Sequence, residues 1–231
     1  MKIRRPWGLV PIKEGRLAKG RLSPHLDARV RQDVFLAMTA DVFAALSAAR
    51  SLHGFAVVTL DPAAREMAVR YGGRVLDCEA GIGHNAAVRC ASRELASSQQ
   101  ADAVLIIPMD VPLITAQDVD EILAAQERSG AAITIAPSGD LRGTNAMLLS
   151  PPECIKPLFG VDSFVAHCES ATRAGLRYAV AMLPNLALDI DHREDIDRLL
   201  SIPRATQTHS ALARADYRPA SLGQEFAAAA Q

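Results

Sequence analysis

Residues 103–108, AVLIIP, form an unbroken apolar run, and no other stretch constrains this chain's fold as strongly. Alternation of apolar and polar residues would mark a strand with one wet face. A continuous run marks a strand covered on both faces, as in the middle of a parallel sheet. Shorter runs repeat the theme at residues 7–12, 55–60, 74–76, 131–137, 145–149 and 177–183. Helical patterns separate most of them: about residues 27–50, after Asp61-Pro62, from near Gly83, behind a Thr115 cap, and from about Ser163. A last short helix is expected to open at Asp191, with Glu194 three residues on in a capping-box pattern. Strand-then-helix order predicts an α/β fold with a doubly wound, mostly parallel sheet. Ligands of such sheets lie beyond the carboxyl ends of the strands, so the loops there are where chemistry is expected.

Composition narrows the partners. With 231 residues, 49% hydrophobic and 22% charged, the chain has the makings of one packed domain and not of a disordered segment. A net charge of −1 supplies no global field for nucleic acid or an anionic membrane, so any polyanion needs a local cluster of cations. No apolar segment approaches the length of a membrane span, and the basic N-terminus lacks the apolar run of a signal peptide. Cys78, Cys90, Cys154 and Cys168 form no CxxC pair and are expected as free thiols, which suits the cytoplasm. Residues 1–203 read as one domain. Residues 204–231 are rich in Ala, Ser, Thr and Gln without strong periodicity, and read as a mobile tail or as an arm packing on a second copy in a homodimer.

Four stretches hold the candidate chemistry. After the first strand, a loop carries Lys13, Arg16, Lys19 and Arg21 among small residues. Cations there, with backbone N–H groups, suit a polyphosphate, although the loop is neither a P-loop nor a GxGxxG turn. Asp110 follows the most hydrophobic strand between Pro108 and Pro112, which restrict its backbone. Because Thr115 is the better cap for the next helix, Asp110 is open to a hard cation such as Mg²⁺. Asp189 and Asp191, two residues apart on an extended segment, face one side. Asp191 doubles as the expected helix cap, which leaves Asp189 the better second metal ligand. Finally, Gly143-Thr144-Asn145 opens a strand, and Gly160 and Ser163 precede a helix whose N-terminus suits a small anion. The histidines make no metal or nucleophile pattern. His25, His53 and His209 read as surface residues, while His84 and His167 are unassigned.

In order along the chain stand VPIKxxxxAKxRLSP at residues 10–24, IPMDVPLIT at 107–115, GTNAM at 143–147, FGxxSFxxH at 159–167 and LALDID at 186–191. Together they resemble the guanylyltransferases that make the activated phospho-acid intermediate of the deazaflavin coenzyme F-420. That family is similar to molybdenum-cofactor guanylyltransferase. The resemblance spans roughly residues 6–200 and implies a Rossmann-like nucleotidyltransferase fold, with GTP and Mg²⁺ as co-substrate and cofactor. The implied acceptor is 2-phospholactate, phosphoenolpyruvate or 3-phosphoglycerate. Thr144, Gly160 and Ser163 match the family's acceptor site, Asp110, Asp189 and Asp191 its metal-bearing acids, and Gly83 and Asn85 a segment beside the guanine. Lys13, Lys19 and Arg21 would hold the departing diphosphate.

Three positions depart from that pattern. Arg142 stands where Asp is usual, His192-Arg193 replaces Thr-Pro, and His84 takes an aliphatic position. A guanidinium at Arg142, near Thr144, would suit an acceptor whose carboxylate lies further from its phosphate, which favours the glycolytic acids over 2-phospholactate. Two rival readings are weighed against this one. Guanylylation of molybdopterin or cytidylylation of a sugar phosphate would call for the glycine-rich loop LxGGxSxRMG, where this chain has VPIK. A non-catalytic nucleotide-binding module would have no need to keep all three acids.

Overall fold

The computed structural model describes residues 2–13, 20–78 and 83–219. Seven strands form one sheet: β1 (Pro6–Pro11), β2 (Gly54–Val58), β3 (Arg74–Leu76), β4 (Ala103–Ile106), β5 (Ile133–Pro137), β6 (Thr144–Leu149) and β7 (Tyr178–Val180). Their spatial order is β3-β2-β1-β4-β6-β5-β7. Every pair is parallel except those of β6, which runs antiparallel to β4 and β5. The doubly wound, mostly parallel sheet is therefore present, with one strand reversed.

Among the described residues seven helices flank it: α1 (Ala28–Ala48), α2 (Pro62–Arg70), α3 (His84–Ser98), α4 (Ala116–Ser129), α5 (Ser163–Arg173), α6 (Arg193–Ser201) and α7 (Gln207–Arg214). Among the described residues none is long and apolar enough to cross a membrane. Successive strand residues feed opposite cores. Val104 and Ile106 pack with Val88 and Leu95 of α3, while Leu105 and Ile107 join Phe35, Phe43 and Ile122 on the other face. That two-sided burial is why the run at 103–108 shows no alternation. Burying each such Leu or Ile contributes about 1.5–3 kcal/mol. At Gly8 a Cβ would lie 3.0 Å from Phe55 Cβ and 3.1 Å from Leu46 Cδ2, so a glycine lets α1 and β2 close over β1.

Side-chain oxygens open several helices. Asp27 caps α1 and Asp61 caps α2, while Thr115 and Asp118 form a reciprocal box on α4. The last-helix expectation needs correction. α6 begins at Arg193, and Asp195, not Glu194, receives the free N–H groups of Asp191 (3.0 Å) and His192 (2.7 Å). One residue of slip moves Asp191 out of the cap and releases it toward the sheet edge.

The boundary at residue 203 also moves. α7 buries Thr208, Ala211 and Leu212 in the core that contains α1. Asp41 of α1 accepts from the Gln207 amide (2.8 Å), the Thr208 amide (3.0 Å) and the Thr208 hydroxyl (2.6 Å). Residues 207–214 thus pack on their own domain, where the sequence reading had an extension or an intersubunit arm. Two buried apolar residues in a short helix were too little signal to read.

Candidate active site

In the strand order, β1 is followed on one side by β2 and on the other by β4, so the sheet's direction of winding reverses between β1 and β4. That switch point is where doubly wound sheets bind ligands. A cleft of ≈ 470 Å³ opens there. Lys13 leaves β1 into it, Asp110 enters from the loop after β4, and Thr144 from the first residue of β6. Asp189, Asp191, Gly160 and Ser163 also line it. Seven predicted residues from five separated sequence stretches therefore share one cavity. A second groove, between α5 and β7, is lined by residues such as Phe164, Val165 and Tyr178 and holds none of the predicted site residues.

The acids are laced together. The carbonyl of Asp110 accepts from the Ile190 amide at 2.9 Å, which fixes the two acidic segments side by side. From β6, Asn145 Nδ2 donates to Asp189 Oδ1 at 3.1 Å and to the Leu186 carbonyl at 2.7 Å. Burial pushes the Asp189 carboxyl above its ordinary value, the Asn145 bond opposes this, and the neighbouring Asp110 and Asp191 charges add to the rise. Partly buried like charges of this kind are relieved by a cation, and hard carboxylate oxygens suit Mg²⁺. Among the described residues no group of three or more His, Cys, Asp or Glu side chains closes into a metal cage. Asp191 has a cationic neighbour, Arg21 Nη1, at 3.3 Å.

Of the predicted cations, Lys13 lines the cleft. Arg21 sits in the 3-10 turn Gly20–Leu22, reaching Asp191 and, at 3.5 Å, His192 Nε2. Lys19 lies outside the described residues.

On the opposite wall, Thr144 is 5% exposed and its hydroxyl lies 3.0 Å from His167 Nδ1. Gly160 has φ +144°, a conformation that side chains rarely adopt, and Asp162 stands at φ +53° before Ser163 begins α5. Ser163 is 2% exposed and belongs to the first helical turn, so this wall combines a buried hydroxyl with a helix N-terminus.

Three predicted residues are placed differently. Arg142 does not line the cleft. Its Nε pairs with Asp162 Oδ1 at 2.7 Å on the exposed side, where the carboxylate captures the guanidinium and raises its pKa. Asn85 spends both ends of its amide on one backbone residue, donating to the Phe159 carbonyl (3.0 Å) and accepting from the Phe159 amide (2.9 Å). It holds the loop before Gly160. Gly83 is exposed and caps α3 at φ +86°, and neither Gly83 nor Asn85 lines the cleft.

Two histidines left unassigned by the sequence belong to the site. His84 lines the cleft edge-on to Phe159, with ring centroids 5.6 Å apart. Burial lowers its pKa, as does Lys13, while Asp110 acts the other way. His167 is fully buried and touches Thr144. Its position four residues after Ser163 put both on one helix face, and that spacing was the available signal. His209, read as a surface residue, is instead half-buried, bonded to Thr206 and to the Leu199 carbonyl.

The chain has relatives among known proteins. The profile of the family described as "Guanylyl transferase CofC like" matches residues 7–216. A phosphoenolpyruvate guanylyltransferase of Roseiflexus castenholzii is 42% identical over 200 residues, covering 87% of this chain and 90% of that protein. A 3-phospho-D-glycerate guanylyltransferase of Colwellia psychrerythraea is 34% identical over 197 residues, covering 84% and 92%. Among solved structures, a protein of Desulfovibrio desulfuricans G20, provisionally named a nucleotide-diphospho-sugar transferase, superposes with a TM-score of 0.71. It is 16% identical and the match covers 91% of this chain and 95% of that one, so the likeness is one of fold.

Proposed function

The chain belongs to the guanylyl transferase family of that description, and from this premise we propose that it transfers GMP from GTP to the phosphate of a three-carbon acid, releasing diphosphate. The acceptor is phosphoenolpyruvate or 3-phosphoglycerate in preference to 2-phospholactate, and the product serves coenzyme F-420 synthesis. One observation carries the reading: a single cleft sets the acids Asp110 and Asp189 between the Lys13 side and the Thr144–Ser163 side. Two phosphate-bearing substrates need that division, with negative charge managed where they meet.

An acceptor phosphate oxygen attacks the α-phosphorus of GTP in line. The new P–O bond forms as the bond to the bridging oxygen breaks, and its electron pair leaves with diphosphate. No proton has to be removed, because a phosphate monoester with a second pKa of about 6 is already largely dianionic at neutral pH. Positioning and charge neutralisation therefore supply the rate. Asp110 and Asp189 would hold Mg²⁺, which supplies charge stabilisation at the phosphoryl oxygens. Lys13 faces the leaving diphosphate, joined by Arg21. Thr144, Gly160 and Ser163 hold the acceptor. Free cysteines suit a reducing cytoplasm, where both substrates are at hand.

The acceptor preference no longer draws on Arg142, whose guanidinium is taken up by Asp162. It is supported by the relatives named for phosphoenolpyruvate and 3-phosphoglycerate. Incubating the protein with Mg²⁺, GTP and each of the three acids, alone and in equal mixture, tests it by mass spectrometry. The expected outcome is a guanylylated adduct with diphosphate, dominated by a glycolytic acid, and more turnover with GTP than with ATP, CTP or UTP. No adduct from any acid would overturn the function, and dominant 2-phospholactate product would overturn the acceptor.

A further inference from the structure

His167 projects from α5 into the fully buried space behind the cleft wall. Its Nε2 lies 2.9 Å from the amide nitrogen of Leu158. A backbone N–H only donates, so Nε2 is the bare nitrogen and the neutral ring carries its hydrogen on Nδ1. Nδ1 lies 3.0 Å from Thr144 Oγ1, so the ring donates there. That bond uses a lone pair of the hydroxyl. The hydroxyl's own hydrogen has no other partner among the described residues, and Thr144 faces the cleft.

We propose that His167 is a positioning residue that makes the Thr144 hydroxyl an obligate donor toward an anionic oxygen of the acceptor. The same ring holds Leu158, next to the Phe159 backbone that Asn85 grips from α3. Two helices thereby pin the segment leading to Gly160 and keep it on the wall that carries Thr144 and Ser163. Burial supports the arrangement, since it pushes the His167 pKa down to about 4 and keeps the ring neutral. A protonated ring would point a second hydrogen at the Leu158 N–H. The inference rests on the reading of Thr144 as an acceptor contact.

Three variants separate the roles, assayed with GTP and with phosphoenolpyruvate or 3-phosphoglycerate as acceptor. His167→Gln places an oxygen where Nε2 accepts from Leu158 but cannot donate to Thr144. His167→Asn keeps a donor near Nδ1 and loses the Leu158 bond. Thr144→Val removes the hydroxyl. Losing a hydrogen bond to a charged group is worth about tenfold to a hundredfold. Thr144→Val and His167→Gln should each raise the acceptor KM by that factor while the KM for GTP holds, and the double variant should add little more. His167→Asn should recover part of the loss. If Thr144→Val raises the acceptor KM and His167→Gln does not, the proposal fails while the acceptor site stands. If Thr144→Val changes nothing, the acceptor reading falls and takes the proposal with it. Nitrogen-15 NMR of the unaltered protein gives a check independent of kinetics and of how the variants fold. His167 should be the Nδ1–H tautomer, and an Nε2–H ring would overturn the proposal.

Discussion

Asn145 and Asp189 meet across the gap between β6 and the loop before α6, with Nδ2 donating to Oδ1 at 3.1 Å. Because the same nitrogen also serves the Leu186 carbonyl, one buried amide fixes both the loop and its carboxylate. Asn145→Ala leaves a carbonyl and a carboxylate without their donor, at a cost of about 1–3 kcal/mol. Thermal unfolding should report that loss, and a Mg²⁺ titration should show half-maximal activity at a higher concentration than in the unaltered protein. An unchanged Mg²⁺ requirement would show that Asp189 needs no help to reach its place.

Asp110→Asn and Asp189→Asn should each lower kcat by roughly a thousandfold, the scale of several kcal/mol of transition-state charge stabilisation. Stability should move the other way at Asp189. Its carboxyl is penalised by burial and by Asp110 and Asp191, so a neutral amide should hold or raise the melting temperature. Asp191→Asn is expected to be milder on turnover, because it also frees Arg21 from its partner. Wild-type turnover of Asp110→Asn at saturating Mg²⁺ would reduce Asp110 to a turn residue.

His167 predicts the acid limb of stability. Its folded pKa of about 4 lies below the ordinary 6.5, so between those values the unfolded chain binds a proton that the folded one refuses. Stability is undiminished by this group above 6.5, falls as pH drops through the window, and levels off below about 4. The slope is about 1.4 kcal/mol per pH unit. Urea unfolding between pH 7 and 4 should show this slope, and His167→Gln should flatten it. An equally steep decline in that variant would assign the acid limb to other groups.

Asp41 and Thr208 join α1 to α7. A chain ending at residue 203 should lose stability by several kcal/mol, because it exposes apolar surface on α1 and strands the Asp41 carboxylate. Thr208→Val should cost about 1–2 kcal/mol by chemical denaturation. A truncated chain that melts with the full one would restore residue 203 as the domain boundary.

Local patterns carried the element order. The unbroken run at 103–108 marked a strand buried on both faces, and the Thr115 cap marked a helix start, because burial periodicity and capping are written within a few residues. The reversal of β6 was not legible. The loop from β5 to β6 is too short for a parallel crossover, but that β6 pairs with β5 at all, and also with β4, depends on distant partners.

The same division runs through the site. Sequence alone determined which residue types were available: Lys13 after one buried strand, Asp110 after another, the acids at 189 and 191, and the Thr144 and Ser163 hydroxyls. Lys13, Asp110, Thr144 and Ser163 lie at strand ends or a helix start, so their meeting in one cleft followed from the fold class, while the acids at 189 and 191 arrive on an irregular segment. Tertiary structure decided who partners whom. It turned Arg142 outward to Asp162, spent Asn85 on the Phe159 backbone, moved the α6 cap from Asp191, and set His167 behind Thr144. Hydrogen bonds and ion pairs act over about 3 Å between residues separated by tens of positions, and no local pattern encodes that approach.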